Sequence, residues 1–301
     1  MALTSMQDFL EIVKGKKVVK SVAVPGAADD HVLEAVFEAE GMGLIKAILI
    51  DKEEEVKKVL TELGKNPADY EIINAETPEE CGQIAVELVK EGRANVILKG
   101  LLETKDVLKP VVNKETGIGL GGVMSIVAFT ELPAYHKLLV VTDGGMMTYP
   151  TVEQKAGIIK NAVDCYKKLG IENPKIACVA AVEKVNPKMP ETVDAAELKK
   201  MNEEGIIKDC IVEGPISLDL AVNADSAKRK KYDSPVAGDA DVILVPNIQV
   251  GNVAHKSMLQ FGNGKMAGVV IGAKCPIVIN SRGSSAEEKF DSLLLACAVA
   301  D

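Results

Sequence analysis

Tryptophan is absent from this chain of 301 residues, and aromatic side chains of any kind are scarce. Phe, Trp and Tyr together make up 3% of the sequence, whereas hydrophobic residues make up 47%. Recognition of nucleic acid by stacking bases on aromatic rings is therefore disfavoured. The hydrophobic core has to be built from Ala, Val, Ile, Leu and Met, which suits parallel sheets covered by helices on both faces.

Basic residues are outnumbered by acidic ones. Lys and Arg total 35 against 44 for Asp and Glu, which gives a formal net charge of −9 at pH 7. That charge repels nucleic acid and anionic membranes at long range, so we expect neither as a partner. A small anionic ligand remains compatible with it, because a pocket responds to its local lining more than to a screened net charge.

Paired cysteines, a secretory signal and long apolar runs are missing as well. The six cysteines include no CxxC pair and no histidine at zinc-ligand spacing, so we predict reduced, buried thiols. The N-terminus lacks the apolar core of a secretory signal, and no segment approaches the ~20 apolar residues of a membrane span. These observations predict a cytoplasmic protein.

The motifs of three common enzyme classes are absent or lack their structural context. The chain has no GxSxG nucleophile elbow, no GxxxxGK[ST] phosphate loop and no clean GxGxxG fingerprint. The run GIGLGG at Gly117–Gly122 lacks the strand-to-helix context of that fingerprint, and we interpret it as a flexible loop. The sequence therefore disfavours hydride transfer and nucleotide hydrolysis.

Apolar, β-branched runs alternate along the chain with amphipathic helical stretches, which is the pattern of βαβ units and a parallel sheet. The length of 301 residues exceeds the size at which one core usually keeps growing, so we expect two α/β lobes. The predicted strands are VVKSVAVPG, IKAILID, YEIIN, ANVILKG, KLLVVTDG, KIACVAAV, CIVEGP, DVILVPN, GVVIG and CPIVINS. The predicted helices include DHVLEAVFEAEGMG, PEECGQIAVELVKEG, TVEQKAGIIKNAVDCYKKLG and SSAEEKFDSLLLACAVA.

Several of the predicted strands end in a small or polar turn. Ligands of open α/β sheets bind outside the carboxyl ends of the strands, so these turns mark the region where chemistry is expected. The turns are Val24–Gly26, Lys99–Gly100, Thr142–Gly145, Pro246–Asn247 and Asn280–Gly283.

The segment CPIVINSRGSSAEEKFDSLLLACAVA predicts an apolar strand, a turn, and a helix opened by serines and acids. The unpaired N–H groups and positive dipole end of such a helix form a phosphate site. Ser281 has a hydroxyl donor, Arg282 has a planar fork suited to phosphate, and Gly283 allows a close backbone approach. Ser285 and Glu288 also fit a capping box, which needs no ligand, and the two interpretations are compatible.

The segment ILKGLLETKDVLKPVVNKETG places Lys99 directly after a strand, with Thr104, Lys105 and Lys109 around a predicted helix start. Because Lys109 precedes Pro110, we expect extended or first-turn geometry there rather than a helix interior. A cation at this place would face an anionic ligand. The alternative is an ordinary solvated surface lysine.

Two further segments favour structural interpretations. In VVTDGGMMTYPTVEQ we interpret Asp143 and the glycines after it as an Asp-Gly turn, followed by a helix that begins at Pro150 and Thr151. The basic run Lys228–Lys231 is interpreted as a solvated face, although its positive charge would attract phosphate groups.

Several of these segments together resemble one family. The sequence is similar to the phosphate acetyltransferase and phosphate butyryltransferase family, and closer to its butyryl branch. The segments that carry the resemblance are ILKGLLETKDVLKPVVNKETG, LLVVTDGGMMTYP, GIENPKIACVAAVEKVNPKMPETVDAAELKKM, EGPISLDLAV, SPVAGDADVILVPNIQVGNVAHK and INSRGSSAEE. They follow one another over most of the chain, and several are long and non-repetitive.

The resemblance implies a two-domain α/β fold of the isocitrate/isopropylmalate dehydrogenase-like kind, with a cleft between the domains. The first domain would comprise residues 1–126 plus 269–301, and the second would comprise residues 127–268. It also implies a homodimer or a higher homo-oligomer.

The resemblance further implies the reaction acyl-CoA + phosphate = acyl phosphate + CoA, with a butyryl or similar group and direct transfer in a ternary complex. CoA would be a substrate, and neither a permanent cofactor nor a metal is expected. We also consider an acetyl-specific phosphotransacylase, a metal-dependent decarboxylating dehydrogenase of the same general fold, and a catalytically silent acyl-CoA-binding module.

Site residues follow from the resemblance position by position. The family's Ser-Arg pair corresponds to Ser281 and Arg282, and its acyl-phosphate-binding Arg corresponds to Lys109, a point charge instead of a two-pronged fork. The acetyl branch has an Asp base at the position of Glu288, and the butyryl branch places a Glu at the position of Glu287, so both stay candidates. The remaining predicted substrate-binding residues are Lys99, Thr104 and Gly283.

Overall fold

The computed structural model describes residues 2–281 and 283–301. Within these residues the chain forms eleven strands, eleven α-helices and one short 3₁₀ turn, Pro67–Asp69, in a mixed α/β fold. The strands are β1 (Lys20–Pro25), β2 (Ile45–Asp51), β3 (Glu71–Asn74), β4 (Val96–Leu98), β5 (Ser125–Glu131), β6 (Leu139–Thr142), β7 (Lys175–Val179), β8 (Ile211–Ile216), β9 (Val242–Leu244), β10 (Lys265–Ile271) and β11 (Ile277–Val278).

The helices lie between these strands for most of the chain. They are α1 (Gln7–Lys16), α2 (Asp30–Gly41), α3 (Glu53–Glu62), α4 (Pro78–Lys90), α5 (Thr104–Val111), α6 (Val152–Lys168), α7 (Pro190–Glu203), α8 (Leu218–Val222), α9 (Ala224–Lys230), α10 (Ile248–Phe261) and α11 (Ala286–Val299). Among the described residues, no helix is both long enough and apolar enough to cross a membrane.

The chain divides into two compact units. The terminal unit comprises Gln7–Gly122 and Ala267–Asp301, and the middle unit comprises Val123–Met266 with the segment that ends at Met6. The domain limits given by the resemblance, 1–126 with 269–301 and 127–268, stay a prediction.

The sheet of the terminal unit has the strand order β3-β2-β1-β4-β11-β10. The pairs from β3 to β11 are parallel, and β10 is antiparallel to β11. Four of the helices that follow its strands, α2 to α5, begin close to a strand end, as expected for βαβ units. This sheet carries the predicted turns at Val24–Gly26, Lys99–Gly100 and Asn280–Gly283.

The sheet of the middle unit has the strand order β5-β6-β9-β7-β8. Strands β6, β9, β7 and β8 are parallel neighbours, and β5 is antiparallel to β6. Most neighbouring strands are parallel, as the βαβ pattern predicts, and the antiparallel pairs β10–β11 and β5–β6 correct the expectation of a parallel sheet. Strand β5 was not predicted, because it pairs with the next strand along the chain instead of following the βαβ alternation.

The core contains few aromatic side chains, as the composition predicts. Among the largest fully buried side chains of the described residues, two are aromatic, Phe9 and Phe129, and the others are Leu and Ile. All six cysteines are free and buried, in agreement with the prediction of reduced thiols. The ten predicted strands and the four predicted helices quoted above are all present, so the α/β class is confirmed.

Candidate active site

Three strand ends meet at the carboxyl edge of the sheet in the terminal unit. Strands β1, β4 and β11 are parallel neighbours, so the segments after them lie side by side. The Lys99 N–H donates to the carbonyl of Val278 at 3.0 Å, and the Gly100 N–H donates to the carbonyl of Pro25 at 2.9 Å. The structure thus places three of the predicted turns at one edge.

Two glycines allow the ends of β1 and β4 to approach this closely. A Cβ atom on Gly100 would lie 1.9 Å from the carbonyl oxygen of Gly26, which no side chain tolerates. Gly26 itself has a φ of +75°, a left-handed conformation that favours glycine. The segment after β4 is therefore fixed against the segment after β1.

The start of α11 follows β11 at the same edge. Ser281 and Gly283 are exposed, and no described atom lies within 4 Å of a Cβ placed on Gly283. The described protein residues therefore do not themselves require a glycine there, and room remains for a ligand to approach the backbone. Arg282, the predicted partner of Ser281, lies outside the described residues.

Ser285 caps α11 through the backbone of Glu288. The cap does not use the Glu288 carboxylate, so capping by Ser285 and a catalytic role of Glu288 are separate. The Glu288 N–H donates to Ser285 Oγ at 3.2 Å. Among the described residues, the reverse bond of a capping box, from the Ser285 N–H to the Glu288 carboxylate, is not formed. The half-buried carboxylate of Glu288 and the exposed carboxylate of Glu287 lie in the first turn, where the helix dipole stabilises negative charge.

Asn280 lies in a turn that the sequence nominated, but no role was assigned to this residue. It is 7% exposed and immediately precedes Ser281. Its Nδ2 donates to Ser292 Oγ at 3.1 Å and lies 3.5 Å from the carbonyl oxygen of Glu288. Its only sequence signal is a polar residue at the end of an apolar strand.

A buried ion pair joins the first turn of α11 to the start of α2. Lys289 Nζ lies 3.3 Å from Asp29 Oδ1, and the two side chains are 4% and 10% exposed. Asp29 also caps α2 by accepting the N–H of Val32 at 2.8 Å. Nothing in the sequence indicates this pair, because its partners are 260 residues apart.

Lys99 is buried, and its ammonium group shapes the loop that leads to α5. Its Nζ donates to the carbonyl oxygens of Gly100 and Leu102, both at 3.0 Å, and the residue is 3% exposed. A buried cation needs such compensation. Its predicted contact with substrate stays a prediction.

Thr104 is the first residue of α5 and is exposed, as expected from the predicted helix start. The helix is closed by a capping box in which Glu103 and Asp106 each bond the backbone of the other. The predicted role of Thr104 in substrate binding stays a prediction.

Lys109 lies in the last turn of α5, and Pro110 lies inside the same helix. The expectation of extended or first-turn geometry is therefore wrong. The reason is tertiary packing, because a Cβ on Gly82 of α4 would lie 2.1 Å from the Asp106 carbonyl and 3.1 Å from the Pro110 ring. Proline leaves the i−4 carbonyl, that of Asp106, without its helical donor, and α4 packs against this place.

The exposed side chain of Lys109 contributes to a groove between α4 and α5. The groove has a volume of about 330 Å³, and Glu79, Glu87 and Lys90 are among the charged residues that line it. Its assignment as the cation that binds acyl phosphate stays a prediction.

The middle unit confirms the structural interpretation of Asp143. The residue is 2% exposed, and its carboxylate accepts the N–H groups of Gly145, Met146 and Met147 at 2.8–3.0 Å. Burial raises the pKa of Asp143, and these hydrogen bonds oppose that shift. The carboxylate thus organises the turn after β6.

An apolar cavity of about 350 Å³ lies at the carboxyl ends of β6, β9 and β7 in the middle unit. Its lining includes Val179, Val245, Met189 and Met258. No sequence pattern indicates this cavity, because its lining residues come from separate segments.

A family model described as "Phosphate acetyl/butaryl transferase" matches residues 79–297. The chain belongs to this family. The resemblance stated from the sequence segments is therefore confirmed.

Curated members of the family cover nearly the whole chain. The phosphate butyryltransferase of Clostridium acetobutylicum is 41% identical over 298 residues, which is 99% of each protein. The phosphate acetyltransferase of Thermotoga maritima is 39% identical over 295 residues, 98% of this chain and 99% of that protein. The two identities are so close that they do not decide between the branches.

Solved structures agree with the family. A branched-chain phosphotransacylase from Enterococcus faecalis V583 aligns with a TM-score of 0.83 and 34% identity, over 93% of this chain and 99% of that one. A 4-hydroxythreonine-4-phosphate dehydrogenase from Klebsiella pneumoniae aligns with a TM-score of 0.55 and 12% identity, over 94% and 98%. The second comparison shows a distant similarity of fold alone.

The described part of the chain contains no group of three or more His, Cys, Asp and Glu side chains arranged to hold a metal ion. A metal-dependent dehydrogenase would need acidic side chains gathered at one place, but three aspartates scattered along the sequence have separate roles in the structure. Asp143 organises a turn, Asp194 pairs with Lys155, and Asp219 pairs with Lys230.

Proposed function

We propose that this protein exchanges a short acyl group, butyryl or similar, between the thiol of CoA and inorganic phosphate. Family membership and the names of the relatives support the reaction. The observation that carries the proposal is the start of α11, where Ser281 is exposed and the cap leaves the Glu288 carboxylate unused by Ser285. CoA is then a substrate, with no permanently bound cofactor and no metal in the reaction.

We assign the phosphate group to the N-terminus of α11. The first-turn N–H groups, the Ser281 hydroxyl and the Arg282 guanidinium would donate to its oxygens. Lys109, Lys99, Thr104 and Gly283 are the further substrate-binding residues of the proposal. Lys99 would act partly through the loop that its ammonium group holds.

Glu288 is the proposed general base, with Glu287 as the alternative. The base takes the proton of the CoA thiol, and the thiolate attacks the carbonyl carbon of the acyl phosphate. The new C–S bond forms as the C–O bond to phosphate breaks, and phosphate leaves. In the opposite direction, phosphate attacks the thioester and the thiolate recovers its proton. Cations and a hydroxyl at the site stabilise the charge that develops on oxygen.

The proposal also includes the finer features implied by the family resemblance. These are the isocitrate/isopropylmalate dehydrogenase-like arrangement of two domains with a cleft, a homodimer or higher homo-oligomer, and a cytoplasmic location.

The test is to mix the protein with butyryl-CoA and phosphate and to follow the released CoA with a thiol reagent. We expect release that depends on phosphate, with acyl phosphate formed in equal amount. Binding of butyryl-CoA without release would indicate a silent binding module. Reduction of a nicotinamide cofactor with a metal and a hydroxy acid, without CoA release, would indicate the dehydrogenase reaction.

The same assay decides between the butyryl and acetyl alternatives. We expect a higher kcat/KM for butyryl-CoA, because each additional buried CH₂ contributes ~0.8 kcal/mol where a pocket accepts it. The similarity to a branched-chain phosphotransacylase supports a four-carbon or branched group. A higher kcat/KM for acetyl-CoA would replace this preference with the acetyl-specific alternative.

A further inference from the structure

Asn280 lies at a place where a buried polar side chain is costly. It follows the short strand β11 and is 7% exposed, with Ser281 next in the chain. An apolar side chain would fill the same space without any polar group to satisfy. The hydrogen bonds of the Asn280 amide should therefore explain why a polar side chain is present here.

The donor side of the amide connects β11 to the second turn of α11. Nδ2 donates to Ser292 Oγ at 3.1 Å and is 3.5 Å from the Glu288 carbonyl oxygen, at the limit of a hydrogen bond. Ser292 is fully buried, and its Oγ also accepts the N–H of Gly268 in β10 at 3.0 Å. The second turn of α11, at Ser292, is thus connected to β10 and to the segment after β11.

The acceptor side of the amide is unsatisfied. Among the residues that the structure describes, Asn280 Oδ1 has no hydrogen-bond partner, although it is buried. An unpaired buried acceptor lowers stability, and such groups in native proteins often accompany function. The amide is thus present in spite of a cost in folding free energy.

We propose that Asn280 is a positioning residue that holds the Glu288 carboxylate in register with Ser281. This inference rests on the proposed function, in which Glu288 takes the thiol proton. Asn280 itself touches neither the thiol nor the phosphate in this role. A base displaced by a fraction of an ångström transfers a proton much more slowly, while ground-state binding is nearly unaffected.

The test is Asn280→Leu, which keeps the size of the side chain and removes both polar atoms without adding charge. We expect kcat to fall at least about tenfold, equivalent to ~1.4 kcal/mol, with KM for butyryl-CoA and phosphate changed little. The melting temperature is expected to stay level or rise, because the unpaired acceptor is gone. If Asn280 had a purely structural role, the substitution would lower the melting temperature and leave kcat per folded molecule unchanged.

The chain offers a matched control in Asn161 of the middle unit. It is also 7% exposed, and its Nδ2 donates to one backbone carbonyl, that of Val123, and to one serine hydroxyl, that of Ser125, both at 2.9 Å. Asn161→Leu is expected to lower the melting temperature and to leave kcat per folded molecule unchanged. The comparison separates loss of a buried amide from loss of positioning.

A second variant keeps the inference testable if Asn280→Leu does not fold. Ser292→Ala removes the acceptor on the helix side while Asn280 remains, and the same fall in kcat at nearly constant KM is expected. Wild-type kcat in either folded variant, with Glu288→Gln inactive, overturns the role of Asn280 alone. Absence of CoA release by the wild-type protein would instead overturn the proposed function.

Discussion

The hydroxyl of Ser285 and the carboxylate of Glu288 have separate tasks at the start of α11. Because the cap uses the Glu288 N–H, Glu288→Gln keeps it, and we expect wild-type stability with turnover lowered ~10²–10⁴-fold. Ser285→Ala loses the cap, and we expect ~0.5–2 kcal/mol less free energy of unfolding with turnover largely spared. Urea unfolding and the CoA-release assay measure the two effects.

Glu287→Gln is the matched control, since Glu287 lies in the same turn and is exposed. It is expected to keep activity. If Glu287→Gln alone is inactive, the base is one residue earlier. Full activity in both glutamine variants would contradict the carboxylate mechanism.

His255 is expected to make the free energy of unfolding depend on pH below neutrality. Its Nε2 is buried in α10 without a partner among the described residues, and burial lowers the pKa of His255 to about 4. In the unfolded chain the histidine has a pKa of about 6.5. Below that pH the unfolded chain binds a proton that the folded protein does not bind. The free energy of unfolding is therefore unaffected by His255 above pH 6.5, and it decreases as the pH falls from 6.5 towards 4.

We expect the free energy of unfolding to fall by about 1.5 kcal/mol more between pH 6.5 and 5 in the wild-type protein than in His255→Gln. Urea titrations at several pH values measure this difference. Parallel curves for the two proteins would show that His255 binds its proton equally well in the folded state.

Predicting single residues from sequence succeeded where the signal was local. Ser285 was found as a cap because a serine before a helical run is itself the signal. Asn280 and Lys289 were not found, because their importance depends on Ser292 and Asp29, which periodicity does not connect to them. Ser281, Glu287 and Glu288 were nominated by family resemblance, and their roles stay predictions until the variants are measured.

The ion pair between Lys289 and Asp29 connects two elements, α11 and α2. Lys289→Met keeps the length of the side chain but leaves a nearly buried carboxylate without its cation. Removal of one partner of a buried pair costs 3–5 kcal/mol in general, and the cap that Asp29 still forms reduces this to about 2 kcal/mol. Thermal or urea unfolding measures the loss.

The double variant Asp29→Asn with Lys289→Met provides the control. Asparagine still caps a helix and carries no charge, so we expect the double variant to be more stable than Lys289→Met alone. Additive losses from the two single changes would show that the two side chains act independently.

Elements were predictable from sequence where one local rule dominated. The strands between helices stand out as apolar runs bounded by turns. Strand β5 follows a glycine-rich loop and pairs antiparallel with β6, so the βαβ pattern did not include it. The helix through Pro110 contradicts a rule about the residue before proline, because contact with Gly82 is a tertiary effect.

At the scale of the whole molecule, sequence was enough for the α/β class and for the family. Long segments in a fixed order carried that recognition, and it did not depend on any single residue. The cavity at the ends of β6, β9 and β7 was beyond reach, since only the folded sheet brings its lining together. This cavity of the middle unit therefore could not be predicted from any single segment of the sequence.

Because all six cysteines are buried, we expect the native protein to react very little with thiol reagents. Burial raises the pKa of Cys81 and Cys210 to about 11 and that of Cys165, Cys275 and Cys297 to about 12. The reactive thiolate is scarce at pH 8 and shielded as well. In the CoA assay we therefore expect the thiol reagent to report CoA, with little background from the native protein.

Because the cysteines are buried, the rate at which their thiols react can be used to measure the rate of unfolding. We expect close to none of the 6 cysteines to react in the native protein and all of them after guanidinium is added. With excess reagent at elevated temperature, the rate of colour formation would then equal the rate at which molecules open. Rapid reaction of even one thiol in the native state would contradict the burial of that cysteine and would require its replacement before the assay is read.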